Sequence, residues 1–403
     1  MEKSKKYYLA ALCSLMFMSV NSTVFADSEL ELLKQDVERL KTEMAEASEW
    51  REPNTLIHLA GYADVGYVNS DASGDDGSFN VGTFAPIFHY QYRDLVMLES
   101  ELELGIDEDG ETDVALEYLT IDWFVNDYMV LVAGKFLSPI GQFRQNLHPS
   151  WINKLPSAPP GFGHDGAAPV SDLGVQARGG FHMGGMKATY AIYMGNGPEL
   201  KAEIEPDAAD STGIEEVELD GVEAEAFGAD RDGEKVIGGR FSILPMSTLE
   251  IGVSLLTGQA TVTKFEAGEF TGTEPPLSSE PSRDYDVTGA DFSWRGMSLD
   301  VRGEYVKTEV AEATTSNASD AAEWSTWYLQ LAYKFFNDDY EAVLRVGDFD
   351  SPHASADQEQ LALGLNRLFS NNFIGKLAYE SNDNPNPGQQ SNDRWLVQLS
   401  YGF

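Results

Sequence analysis

The segment "DRWLVQLSYGF", Asp393 to Phe403, puts Trp395, Val397, Leu399, Tyr401 and Phe403 at every second position, the last of them being the final residue. Termini ordinarily fray into polar residues. Strict alternation instead describes a β-strand with one apolar face. Keeping it to the end fits a strand that must close against another, leaving no unpaired edge. The same period of two runs back to Pro53. In "LVMLESELELG" (95–105), Val96, Leu98, Leu102 and Leu104 alternate with Glu99, Glu101 and Glu103. "LIHLAGYADVGYVN" (56–69), "MKATYAIYMG" (186–195), "TLEIGVSLLTG" (248–258) and "TWYLQLAYKF" (326–335) repeat the pattern. Sixteen such segments can be counted: 56–69, 84–92, 95–105, 112–124, 128–137, 172–181, 186–195, 236–244, 248–258, 284–294, 297–308, 324–335, 340–349, 358–368, 372–381 and 393–403. Each has the length a tilted membrane strand needs, and an even number closes an antiparallel barrel of one chain.

The connections carry the same message. Tight links such as Arg93-Asp94, Asn126-Asp127 and Arg295-Gly296 alternate with long polar stretches. A soluble sandwich has no reason to keep that rule, whereas a transmembrane barrel has short turns at one end and long loops at the other. Trp123, Phe124, Phe181, Trp294, Tyr333, Phe335, Tyr401 and Phe403 crowd the ends beside the short links, as an interfacial girdle would. The fold expected is an all-β, 16-stranded antiparallel transmembrane β-barrel spanning 53–403.

Composition excludes several alternatives. With 66 acidic against 27 basic residues and a formal charge of −39, nucleic acid is ruled out as a partner. Beyond Ala26 no run of about 18 apolar residues occurs, so helical membrane spans are excluded. Residues 1–26 have the layout of a secretory signal: Lys3, Lys5 and Lys6, the apolar run Tyr7 to Val20, then Val24-Phe25-Ala26 as a small-residue cleavage site. They include Cys13, the single cysteine. Between 27 and 52, Leu30, Leu33, Val37, Leu40, Met44 and Ala47 form a heptad seam, which reads as a short periplasmic coiled-coil helix that oligomerises.

On the face opposite the apolar one, the inward basic residues are Lys135, Arg178, Lys187, Arg240, Arg302, Lys334, Arg345, Lys376 and Arg394, and the inward acids cluster at Glu99, Glu101 and Glu103. Walls of opposite sign set a transverse field across a water-filled lumen, which orients polar solutes. The connection 137–172 is long but poor in charge, carries six prolines, and includes Arg144, His148 and Lys154. A stiff, charge-poor loop suits folding back into the barrel as a constriction. By contrast, 196–235 holds 14 acidic against 3 basic residues and suits solvent and divalent cations that bridge lipopolysaccharide. The histidines show no metal-ligand spacing. His164-Asp165 has no nucleophile tied to it in sequence, so neither an enzyme nor a cofactor is expected.

The lead-in, "HYQYRDLVMLESELEL" (89–104) and "AGKFLSPIGQF" (133–143) resemble the phosphate-selective porin O and P family of Gram-negative outer membranes. The resemblance implies a homotrimer among outer-membrane lipids, a folded-in third loop, and passage of small hydrophilic solutes with anion preference. Here the loop offers Arg144 and Lys154, where the anion-selective members crowd Lys and Arg. A carbohydrate-specific porin and a non-conducting structural barrel stand as alternatives. The former would need an aromatic track, for which Tyr62, Tyr193 and Tyr328 are few.

Overall fold

The computed structural model describes residues 55–71, 77–106, 110–163, 166–207, 210–225, 229–266, 268, 270–353, 355–386 and 392–403, together with Arg39. The expected signal segment, the coiled-coil helix apart from Arg39, and the His164-Asp165 pair lie outside the described residues.

All sixteen alternating segments are strands, and together they form one closed antiparallel barrel. In chain order these are β1 (Thr55–Ser70), β2 (Ser78–Tyr92), β3 (Val96–Ile106), β4 (Thr112–Asn126), β5 (Met129–Leu137), β6 (Ser171–Met183), β7 (Met186–Gly195), β10 (Val236–Met246) and β11 (Leu249–Ala260). They continue as β13 (Arg283–Gly296), β14 (Leu299–Val310), β15 (Ala322–Phe335), β16 (Tyr340–Asp350), β17 (Gln358–Leu368), β18 (Phe373–Asp383) and β19 (Arg394–Gly402). The last strand closes on the first: Tyr62 stands opposite Gly402 and Ser70 opposite Arg394. Beyond the register, Gly61 and Phe403 exchange both backbone hydrogen bonds at 2.9 Å, so no edge is left open at the seam.

Alternation sorts the side chains. On β17 the outward Leu361, Leu363 and Leu365 are exposed, while Gln360, Ala362 and Asn366 face inward and are buried. Beside the short turns, Phe369 stacks on Phe373 at 4.9 Å, Phe335 on Tyr340 at 5.8 Å and Tyr401 on Phe403 at 6.2 Å, an aromatic belt of the kind that marks a membrane interface. The β13–β14 link needs both Met297 and Ser298 at positive φ (52° and 64°), the primed turn whose twist matches the strands it joins.

Three further strands lie in the long connections: β8 (Glu199–Asp207) and β9 (Asp210–Glu223) between β7 and β10, and β12 (Val262–Glu266) between β11 and β13. They form a separate sheet ordered β12-β8-β9. Its Leu200, Ala202, Ile204, Leu219 and Phe265 are buried in one apolar cluster with inward residues of the barrel wall. The stretch expected to be a solvated acidic loop is therefore a packed sheet with one apolar face.

Candidate functional site

The connection from β5 to β6 passes through the barrel interior, and its anchors trace its path. Ser254 of β11 accepts from Gly141 N at 3.0 Å, and Glu304 of β14 accepts from Gln142 N and Phe143 N, both at 3.1 Å. Gly141 has φ 73°, and a Cβ there would meet Glu304 Oε1, so only glycine lets the loop come this close. A short π-helix follows, Phe143–Leu147. The loop then reaches β19, where Ser150 bonds Ser400 at 2.8 Å and the Trp151 ring covers Gly402. From there it runs along β18 to β14. Lys376 donates to the carbonyls of Ser150 (2.5 Å) and Leu155 (3.4 Å), Arg345 to those of Ser157 and Ala158 (both 3.0 Å), Thr326 to Pro160 and Thr308 to Ala167 (both 2.7 Å). These bonds satisfy loop carbonyls that no strand partner satisfies.

The wall residues expected to face solutes divide by their partners. Arg345 is 0 % exposed and Lys376 is 3 % exposed, both beneath the loop. Arg345 also bonds Gln360 at 2.9 Å and lies 3.7 Å from Glu380. Arg240 bonds Asp291 at 2.8 and 2.6 Å and Glu250 at 2.9 Å. Arg302 bonds Asp300 at 3.0 and 2.5 Å. Arg178 is held by Asp122 and, at 3.2 Å, by Glu99. Lys187 sits at the turn end of β7, opposite His182. Lys135 departs from the expected inward set: it pairs with Leu119, an outward residue, because Val132 and Phe136 take the inward positions of β5.

The acidic row does face inward. Glu101 is buried and accepts from Tyr62 at 2.8 Å, Glu103 accepts from Thr83 at 2.8 Å, and His89 lies 3.3 Å from Glu99. Three acids outside the expected inward row join them. Asp64 of β1 accepts from Gln398 at 2.9 Å, Asp122 of β4 meets Arg178, and Glu117 lies beside a shift in the β3–β4 register that breaks the alternation. Arg144 of the loop, 7 % exposed, is turned toward this group. Burial pulls its guanidinium down from the ordinary value, opposed by the attraction of Glu117, Glu225 and Glu103. His148 lies 3.8 Å from Glu101, and its other ring nitrogen meets the Arg144 carbonyl. Lys154 points elsewhere, to Glu341 of β16 at 2.8 Å.

Water-accessible space collects on the side of the short turns. A cavity of about 950 Å³ is bordered by Lys154, Arg295, Asp300, Arg302 and Glu341. Two more, of about 610 and 340 Å³, adjoin each other through Gln145, Thr189 and Arg240. Toward the long loops, the inner wall from β5 to β16 is apolar: Phe136, Tyr193, Val236, Leu256, Tyr285 and Trp324 pack with Ile140, Phe143 and Phe162 of the loop and with the outer sheet. Phe162 meets Tyr328 edge-on at 5.2 Å and Phe143 at 5.9 Å. The sector from β17 through β19 to β4 keeps polar groups at the corresponding positions: Asn382, Glu380, Arg394, Asp64 and Glu103.

No protein-family model matches the chain, and no curated protein sequence matches it. Similarity appears among solved structures. An anion-selective porin from Comamonas acidovorans aligns with TM-score 0.57 and 16% identity, over 87% of this chain and 100% of that one. The outer-membrane channel DcaP of Acinetobacter baumannii aligns with TM-score 0.55 and 10% identity, over 87% and 98%. OmpF of Salmonella typhi aligns with TM-score 0.54 and 12% identity, over 86% and 97%. At these identities the likeness establishes a porin-like barrel.

Proposed function

We propose that this chain is a passive diffusion channel of a Gram-negative outer membrane, admitting small hydrophilic solutes and preferring cations. In this reading residues 1–26 are removed on export, 27–52 lead into a homotrimer, and 53–403 form the pore. The observation that carries it is the 137–172 loop lodged inside a closed barrel and bonded to β11, β14–β16, β18 and β19. A loop held across the lumen narrows it without closing the wall. Porin-like neighbours, one titled a channel and one an anion-selective porin, support the class.

Cation preference is supported by the partners of four inward basic residues. Arg345 and Lys376 are committed to loop carbonyls, and Arg240 and Arg302 to carboxylates. The β1–β4 wall gathers Asp64, Glu99, Glu101, Glu103, Glu117 and Asp122 against Arg144 and Arg178. A wall with an excess of one sign concentrates the opposite ion. The phosphate preference implied by the family resemblance would rest, at the loop, on Arg144 alone, which faces acids, since Lys154 is paired with Glu341.

The deciding experiment is the reversal potential of the purified protein in a planar bilayer under a potassium chloride gradient, with phosphate then added. A cation-selective potential insensitive to phosphate is expected; an anion-selective potential blocked by phosphate would restore the family's specificity. A second reading, the non-conducting barrel, is favoured by the apolar packing from β5 to β16. Silence of the full chain, with conductance gained after excision of 200–222, would select it.

A further inference from the structure

The sequence shows no metal-ligand spacing around its histidines, yet folding brings three distant groups together. Ligand atoms of Glu203 on β8, Asp220 on β9 and His353 in the β16–β17 connection all lie within 4.8 Å of one another. We propose that these three residues form a site for a divalent transition-metal ion of the zinc class, joining the outer sheet to the β16–β17 connection. The proposal does not depend on the channel reading.

The set is more than an acidic surface. His353 Nε2 lies 2.8 Å from the Leu219 carbonyl oxygen, which can only accept, so Nε2 carries a proton and the imidazole is already held against β9. Asp220 Oδ1 is 3.7 Å from the same nitrogen. Asp220 is itself the extra residue of a β-bulge: Leu219 pairs with Ala202 and Gly221 with Lys201, leaving Asp220 without an opposite number. Bulges re-aim a side chain that the regular pleat would send elsewhere. Ligand bonds of about 2.1 Å put tetrahedral ligand atoms about 3.4 Å apart, so binding needs the three to close by roughly an ångström.

The surrounding sheet is short of positive charge. Glu203 stands directly opposite Glu218 on β9 and beside Glu266 on β12, and Glu205 opposite Glu216. Like charges so placed repel, and Glu218 beside it holds the Glu216 carboxyl above its ordinary range. Lys264 and Lys201 address Glu266, and Lys201 also addresses Glu223. Imidazole with two carboxylates selects zinc-like ions over calcium or magnesium, which take six or more oxygens. On binding, the imidazole changes tautomer, the proton leaving Nε2 and Nδ1 taking one from solvent, and the Nε2 bond to Leu219 is exchanged for one to the metal. Two carboxylates and one imidazole leave the remaining position to water.

The test is calorimetric titration of the full-length, detergent-solubilised protein with zinc chloride, with calcium chloride in parallel. One zinc site per chain is expected, with calcium at least tenfold weaker. His353→Ala and Asp220→Asn should each weaken zinc tenfold or more, while Glu216→Gln, on the same sheet but outside the site, should leave it unchanged. Retained heat-modifiable mobility on gels shows that each variant is folded, and Glu203→Gln provides a third reading should one fail. Absence of zinc binding overturns the proposal. So does equal loss with Glu216→Gln, or binding indifferent to His353→Ala, either of which would mean diffuse attraction to the acidic sheet.

Discussion

The inner faces of β1–β4 and of β13–β18 both carry charge, but they use it differently. On β13–β18 the two signs are mixed, with Arg302, Arg345 and Lys376 standing among the acids: Asp300 takes Arg302 of its own strand, while Asp291 takes Arg240 from β10, Glu341 takes Lys154 from the loop, and Glu380 takes Arg394 from β19 at 2.8 Å. The spare donors there hold the loop. On β1–β4 no inward Lys or Arg stands among the acids, so the wall keeps one sign, and it is met only by Arg144 from the loop and Arg178 from β6. An inward position therefore does not make a charge a solute contact. A mixed wall spends its charges on structure, whereas a wall of one sign keeps a field in the lumen.

The largest expected effect of breaking this contrast comes from Arg345→Ala. It would strip four donor contacts from the loop and from Gln360 and leave Glu380 buried with less compensation. Breaking a buried pair in this way costs about 3–5 kcal/mol. A lowered thermal midpoint in detergent and a noisier, larger single-channel conductance are expected. An unchanged midpoint would mean that the mixed wall does not hold the loop. Next is Arg144→Ala, which removes the loop cation facing the acids. A unit charge near the path is worth about 1 kcal/mol in water, so the cation-to-anion permeability ratio should rise about fivefold. The paired change Glu101→Gln with Glu103→Gln should move the ratio the other way by a similar factor. Equal ratios in all three would dissolve the distinction between the two walls.

The barrel was legible because the period of two survives in most of the spanning strands, and the alternation of short and long links showed which end was which. The loop's inward course was legible from its prolines and its poverty of charge. Its anchors were not: Arg345 and Lys376 look on the sequence like any inward basic residue, and only the loop's path turns them into donors for carbonyls. Lys135 was misplaced because β5 is short and glycine-containing, so its apolar residues do not declare a face. Glu117 was hidden by the register shift beside it. The outer sheet escaped notice although Leu200, Ala202 and Ile204 alternate, because the charged residues between and around them, Glu199, Lys201, Glu203 and Glu205, resembled a solvated loop. The grouping of Glu203, Asp220 and His353 spans three separate segments, and no local spacing could announce it.

The smallest expected effect, Arg295→Ala, tests whether inward position alone could account for selectivity. Arg295 borders both of the larger cavities yet is 65 % exposed, and its one ion pair is to Asp300 at 3.2 Å. Asp300 keeps both bonds from Arg302 when Arg295 is gone, so no buried charge is stranded. An exposed pair of this kind contributes about 0–1 kcal/mol, and salt at about 1 M shrinks its reach to about 3 Å. The thermal midpoint should stay within error, and the permeability ratio should move less than twofold at low salt and not at all in concentrated potassium chloride. A shift matching that of Arg144→Ala would show that any inward cation governs the pore, and the acidic β1–β4 wall would lose its special standing.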